Sequence, residues 1–124
     1  MSDVQRDELE RRLDEEGLIV LDVRSPREFS GESGYPCDAR QGHLPGARNI
    51  DLQLLLAAPD AEAIKALVGA PDGSEVIAYC HSGSRSGLAV QVLTAAGYAA
   101  RNYVGSWHEW SRDSALPAET GPTG

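Results

Sequence analysis

Short apolar runs alternate with helix-like stretches along this chain. Leu18–Val23 is continuously apolar except for Asp22, the signature of a strand buried on both faces in a parallel sheet. Further strands are predicted over Ala47–Ile50, Glu75–Tyr79 and Arg101–Val104. A first helix is predicted over Ser2–Glu16, capped by Ser2, carrying Val4, Leu9 and Leu13 on one face and stopped by Gly17. Ser25-Pro26-Arg27-Glu28 is a capping box with proline at the first helical position, opening a short helix that carries Phe29. Longer helices are predicted over Asp60–Val68 and Ser86–Ala96. Ser106-x-x-Glu109 reads as a second capping box, starting a last short helix on which Trp107 and Trp110 share a face. Glycine, proline and polar residues dominate Gly31–Gly46, a loop long enough to be functional or mobile. Alternation of this kind specifies an α/β fold of three layers, with a central parallel sheet of about five strands and helices on both faces. Ligands of such sheets bind outside the carboxyl ends of the strands.

One of those ends carries the chemistry. Cys80-His81-Ser82-Gly83-Ser84-Arg85-Ser86 lies between the apolar run Val76–Tyr79 and the helical stretch that follows. A cysteine placed there meets unpaired backbone N–H groups and the positive end of a helix dipole, with Arg85 as a candidate cation. Such surroundings take a thiol from an ordinary pKa of about 8.5 into the range of roughly 3.5–7.5, which makes it a nucleophile at neutral pH. Gly83 allows the positive φ that a tight cradle needs. Phosphatase-type loops separate cysteine from arginine by five residues, enough amides to ring a phosphate. Here Cys80 and Arg85 are separated by four. The smaller turn suits a single sulfur atom carried on Cys80.

Four motifs in order then resemble the rhodanese family of sulfurtransferases, over about Leu18 to Asp113. They are Asp22, Arg24, Glu28 and Phe29 after the first strand; Gly42-His43-Leu44-Pro45-Gly46-Ala47 with Asn49 and Ile50; the six-residue loop from Cys80 to Arg85; and Gly97-Tyr98 with Tyr103-Val104-Gly105-Ser106-Trp107-His108-Glu109-Trp110. The resemblance implies a rhodanese-like three-layer sandwich and a sulfurtransferase that moves a sulfane sulfur from thiosulfate or a similar donor to cyanide, a thiol or a protein. Cys80 would carry the sulfur as a persulfide, and His81, Ser82, Gly83, Ser84, Arg85 and Ser86 would bind it. Asp22 is expected to find a partner in Arg24, Arg85 or a loop N–H and to position the loop, and Arg24 to belong to an ion pair near it. His43 is expected to stabilise its own turn, His81 to stand at the pocket rim, and Trp107 with Trp110 to roof the pocket or pack in the core. The alternatives are a sulfur-relay or regulatory module acting through protein binding, and, disfavoured by loop length, a phosphatase or arsenate reductase.

Length and charge narrow the partners. At 124 residues the chain is read as one domain, its core over about 18–113 and residues 114–124 a flexible tail. Two cysteines far apart, without a twin-cysteine motif, argue against a disulfide framework or a metal site and fit a reducing compartment. No metal or cofactor is expected, and Cys37 is read as a bystander because nothing basic or helical flanks it. A net charge of −8 disfavours nucleic acid and anionic membranes, leaving a small anionic sulfur donor drawn in locally by the loop. With no apolar leader or membrane-length apolar stretch, the protein is expected to be cytoplasmic.

Overall fold

The computed structural model describes residues 3–122. Four strands make one fully parallel sheet: β1 (Ile19–Asp22), β2 (Arg48–Asn49), β3 (Glu75–Tyr79) and β4 (Ala99–Asn102), in the order β2-β1-β3-β4. About five strands were expected. The place beside β4 is instead taken by a single parallel bridge between Val4 and Tyr103, with Val4 N donating to Asn102 O at 2.9 Å. Val4 therefore belongs to the sheet edge, and α1 (Arg6–Arg12) is shorter than the helix read from the sequence. The proposed cap Ser2 lies outside the described residues.

Alternation along the strands sorts the core into two layers. Ile19, Leu21, Val76, Ala78 and Cys80 face one side, where they pack on α3 (Leu52–Ala57), α4 (Ala61–Val68) and α5 (Ser84–Ala95). Val20, Ile77 and Tyr79 face the other, against α1, α2 (Pro26–Ser30) and α6 (Ser106–Trp110). The expected three layers are present. The Ser25 box forms in full, its hydroxyl accepting from Glu28 N and the Glu28 carboxylate accepting from Ser25 N. Proline after the cap fixes the first turn of α2 and so the position of Glu28. Helix α3 was not anticipated.

The Ser106 box does not form. Ser106 sits at φ 55°, in the left-handed region, and its hydroxyl is used elsewhere, while Glu109 accepts from the Tyr103 hydroxyl at 2.7 Å. The segment expected to fray is docked as far as Gly121: Leu116 is buried, Trp110 Nε1 donates to Pro117 O, and His43 and Glu119 exchange backbone hydrogen bonds. Arg40 binds the carbonyls of Ser111, Asp113 and Leu116, tying the long loop to this segment. Among the described residues, no helix is long and apolar enough to cross a membrane.

Candidate active site

Because all four strands run parallel, the ends of β1, β3 and β4 deliver Asp22, Cys80 and Ser106 to the same edge of the sheet. Cys80 follows β3 directly and is almost wholly buried. Its Sγ accepts from Gly83 N at 3.1 Å and from Ser86 N at 3.4 Å, the second an amide in the first turn of α5. Burial pushes the thiol up, but the Ser86 hydroxyl and amide, with the amides of Gly83 and Ser82, outweigh it and leave Cys80 below its ordinary value. Dipoles fixed in the fold therefore favour the thiolate over the thiol at this position.

The Ser86 hydroxyl stands 3.4 Å from Sγ and 2.7 Å from Asn102 Oδ1. Both contacts draw on its single proton: donated to sulfur it stabilises the thiolate, and donated to Asn102 it ties α5 to β4. Asn102 also donates to Gly83 O at 3.1 Å, so β4 holds both ends of the cradle. Gly83 has φ 96°, and a Cβ on it would lie 2.7 Å from the Val104 carbonyl oxygen. Glycine is required there on both counts.

Arg85 was expected to supply the cation for the thiolate. Its guanidinium forks onto Glu28, Nη1 to Oε1 at 2.9 Å and Nη2 to Oε2 at 3.1 Å, and the charge on Cys80 also contributes to raising the arginine's pKa. Burial raises the Glu28 carboxyl, but the Arg85 fork and the Ser25 amide more than reverse this and hold it at about 2. A cavity of about 300 Å³ lined by Ser25, Glu28, Ser33, Gly34 and Tyr35 opens beside this pair. The loop arginine thus ties α5 to α2 at the mouth, and the groups in hydrogen-bond contact with the sulfur are the Ser86 hydroxyl and the loop amides.

Beneath the loop, α6 acts as a clamp. Cys80 N donates to Ser106 Oγ at 3.0 Å, and Ser106 Oγ donates to Tyr103 O at 2.8 Å. Trp107 N and His108 N donate to the carbonyls of Cys80 and His81 at 2.9 and 3.0 Å. Ser106, Asn102 and the Glu28–Arg85 pair are the site residues whose roles the sequence reading missed. The only signal for Ser106 was its place in a capping-box pattern, which assigned it a different partner.

The other expected residues fall as follows. Asp22 and Arg24 form a buried pair, with Nη2 to Oδ2 at 2.7 Å, and the Arg24 guanidinium lies 5.3 Å from the Trp107 ring. Asn49 donates to the carbonyls of both residues, bracing the end of β1. His43 was expected to stabilise its own turn; its ring stacks on Phe29 at 3.7 Å and its Nδ1 meets Phe29 O at 2.7 Å, which ties that turn to α2. Trp107 and Trp110 are fully buried and do not roof the pocket; Trp107 supports the loop from behind. Ser82 and Ser84 are exposed. His81 is partly exposed, with its Nε2 3.0 Å from Asp38 Oδ1 and its ring packed on Tyr35 at 3.8 Å.

The chain matches the model of the rhodanese-like domain over residues 5–113. It is 36% identical to the thiosulfate sulfurtransferase of Pseudomonas aeruginosa, covering 92% of this chain and 44% of that protein. It is also 36% identical to the sulfur carrier protein TtuD of Thermus thermophilus, over 82% of this chain and 41% of that one. A solved structure described as "Crystal Structure of Probable Thiosulfate Sulfurtransferase" superposes with a TM-score of 0.81 at 44% identity, covering 94% of this chain and 47% of that one. The chain spans less than half the length of these relatives.

Proposed function

The chain belongs to the rhodanese-like domain family, and from that premise we propose that it is a sulfurtransferase working through a persulfide on Cys80. The observation that carries this reading is the Cys80 sulfur itself, buried yet met by the amides of Gly83 and Ser86 and held below its ordinary pKa. In the first half-reaction the Cys80 thiolate attacks the outer sulfur of thiosulfate. The new bond joins Sγ to that sulfur, the sulfur–sulfur bond of the donor breaks, and sulfite leaves with its electron pair. The amides of the cradle and the first turn of α5 then face the terminal anion of Cys80 Sγ–S⁻. In the second half-reaction a thiophile such as cyanide, or a thiol, attacks the terminal sulfur and the Cys80 thiolate departs. His81, Ser82, Gly83, Ser84, Arg85 and Ser86 form the binding turn in this scheme, with Asp22, Arg24, His43 and Trp107 as supports. Neither half-reaction needs a metal or an organic cofactor.

A protein acceptor is the second reading, favoured by the similarity to a sulfur carrier protein. The cytoplasm is the compartment we propose, in keeping with two cysteines that form no disulfide. Thiocyanate formation from thiosulfate and cyanide tests the activity. Wild-type protein should turn over by a double-displacement pattern, and Cys80→Ser should be inactive with an unchanged circular dichroism spectrum. Wild-type rates in Cys80→Ser would remove Cys80 from the reaction.

A further inference from the structure

We propose that Cys37, Asp38, His81 and His108 form a Zn²⁺ site on the rim of the Cys80 loop. One donor atom from each of the four lies within 4.8 Å of the other three. His81 Nε2 and His108 Nδ1 converge on Asp38 Oδ1 at 3.0 and 3.1 Å. Zinc bonds of about 2.0–2.3 Å in a tetrahedron set the ligand atoms about 3.3–3.8 Å apart, so the imidazoles and the carboxylate already stand near their required separations. Cys37 is exposed on the long loop and supplies the remaining closure.

A second observation points to a cation. Asp38 has a side chain 1% exposed, and its Oδ2 has no hydrogen-bond partner. A buried carboxylate with an oxygen left without a partner is costly to keep charged, and a cation bound by this carboxylate and the two imidazoles compensates that charge. The donor set chooses among metals: one thiolate, two imidazoles and one carboxylate suit zinc and exclude the all-oxygen shells of Mg²⁺ and Ca²⁺. Binding releases the Cys37 thiol proton to solvent. On the outer side, Arg112 Nη1 lies 3.3 Å from His108 Nε2; Arg112 is exposed and turns aside when that nitrogen carries the ring proton.

Four protein ligands leave no open position, which makes this a structural ion. It would join three segments: the long loop through Cys37 and Asp38, the catalytic turn through His81, and α6 through His108. These ligands are brought together by the fold, so no spacing in the sequence discloses them, and the expectation of no metal rested on spacing alone.

The test is titration of reduced, chelator-treated protein with Co²⁺, followed by competition with Zn²⁺. Wild-type protein should take up one Co²⁺ per chain, with the visible absorption of a tetrahedral ion and a thiolate charge-transfer band, both abolished by one equivalent of Zn²⁺. Cys80→Ser should behave like wild type, which separates this site from the nucleophile and from the proposed transferase activity. Cys37→Ser should lose the charge-transfer band, and His108→Ala should bind at least tenfold more weakly. Absence of stoichiometric uptake by wild-type protein overturns the site, as does a charge-transfer band that survives Cys37→Ser and disappears in Cys80→Ser.

Discussion

Replacing Gly83 with alanine separates the loop amides from every other contribution to the reactivity of Cys80. Gly83 adopts φ 96°, and its amide is the nearest donor to the sulfur at 3.1 Å. An L-residue in a left-handed conformation costs roughly 1–2 kcal/mol. The new Cβ would also stand 2.7 Å from the carbonyl oxygen of Val104, a backbone atom that cannot rotate away. The turn relaxes by moving the 83 amide off the sulfur. A hydrogen bond to a charged acceptor is worth about 1.5–3 kcal/mol, and 1.36 kcal/mol corresponds to one pKa unit; the Cys80 pKa should therefore rise by about 1–2 units. Iodoacetamide alkylation followed across pH reads the midpoint directly. Gly46→Ala is the control: Gly46 is at φ 77° with open space around its Cβ direction, so it takes the backbone strain without disturbing the cradle. An alkylation midpoint unchanged in folded Gly83→Ala, or shifted equally in Gly46→Ala, refutes the assignment of thiolate stabilisation to the loop amides.

Two further outcomes follow from pairs the structure brings together. The Glu28 carboxyl is held at about 2 against an ordinary 4.5, so its pair with Arg85 stabilises the fold fully above pH 4.5 and loses that contribution as pH falls through about 2; the gap in Tm between wild type and Arg85→Met should close over that window, and a gap constant with pH would contradict the pairing. Ser106→Ala strands the buried Cys80 N–H and keeps φ 55°, for a loss of about 1–3 kcal/mol by urea denaturation. Ser106→Gly loses the same bond but releases the backbone strain and should be the more stable of the two; the reverse order would mean the strain is absent.

What the sequence made legible was whatever local chemistry dictates. β3 is found at Glu75–Tyr79, as its unbroken apolar run requires, and the Ser25 box closes because its partner lies three residues away. Helix α3 was hidden because Leu52–Ala57 is apolar at every position but Gln53: Leu52 and Leu55 are buried while Leu54 and Leu56 are exposed, and six residues give no readable period. Val4 fits a helical face by spacing, yet pairing with the end of β4 wins it for the sheet edge. The nucleophile and its turn were readable as one segment. Its supports were not, since Ser106, Asn102, Glu28 and Asp38 reach the loop across 16 to 57 residues of chain. Ser106 was noticed for the right residue type and given the wrong partner, and the Glu28 partner of Arg85 went unseen, because a side chain with two possible partners is assigned by packing and not by spacing.

The central claim is that sulfur travels on Cys80. Intact-mass and peptide mass spectrometry of the protein incubated with thiosulfate tests it most directly. The account predicts a gain of one sulfur atom per chain, on the peptide containing Cys80, removed by cyanide and absent from Cys80→Ser. A folded protein that gains no sulfur, or gains it on the Cys37 peptide with Cys80 unmodified, would contradict it.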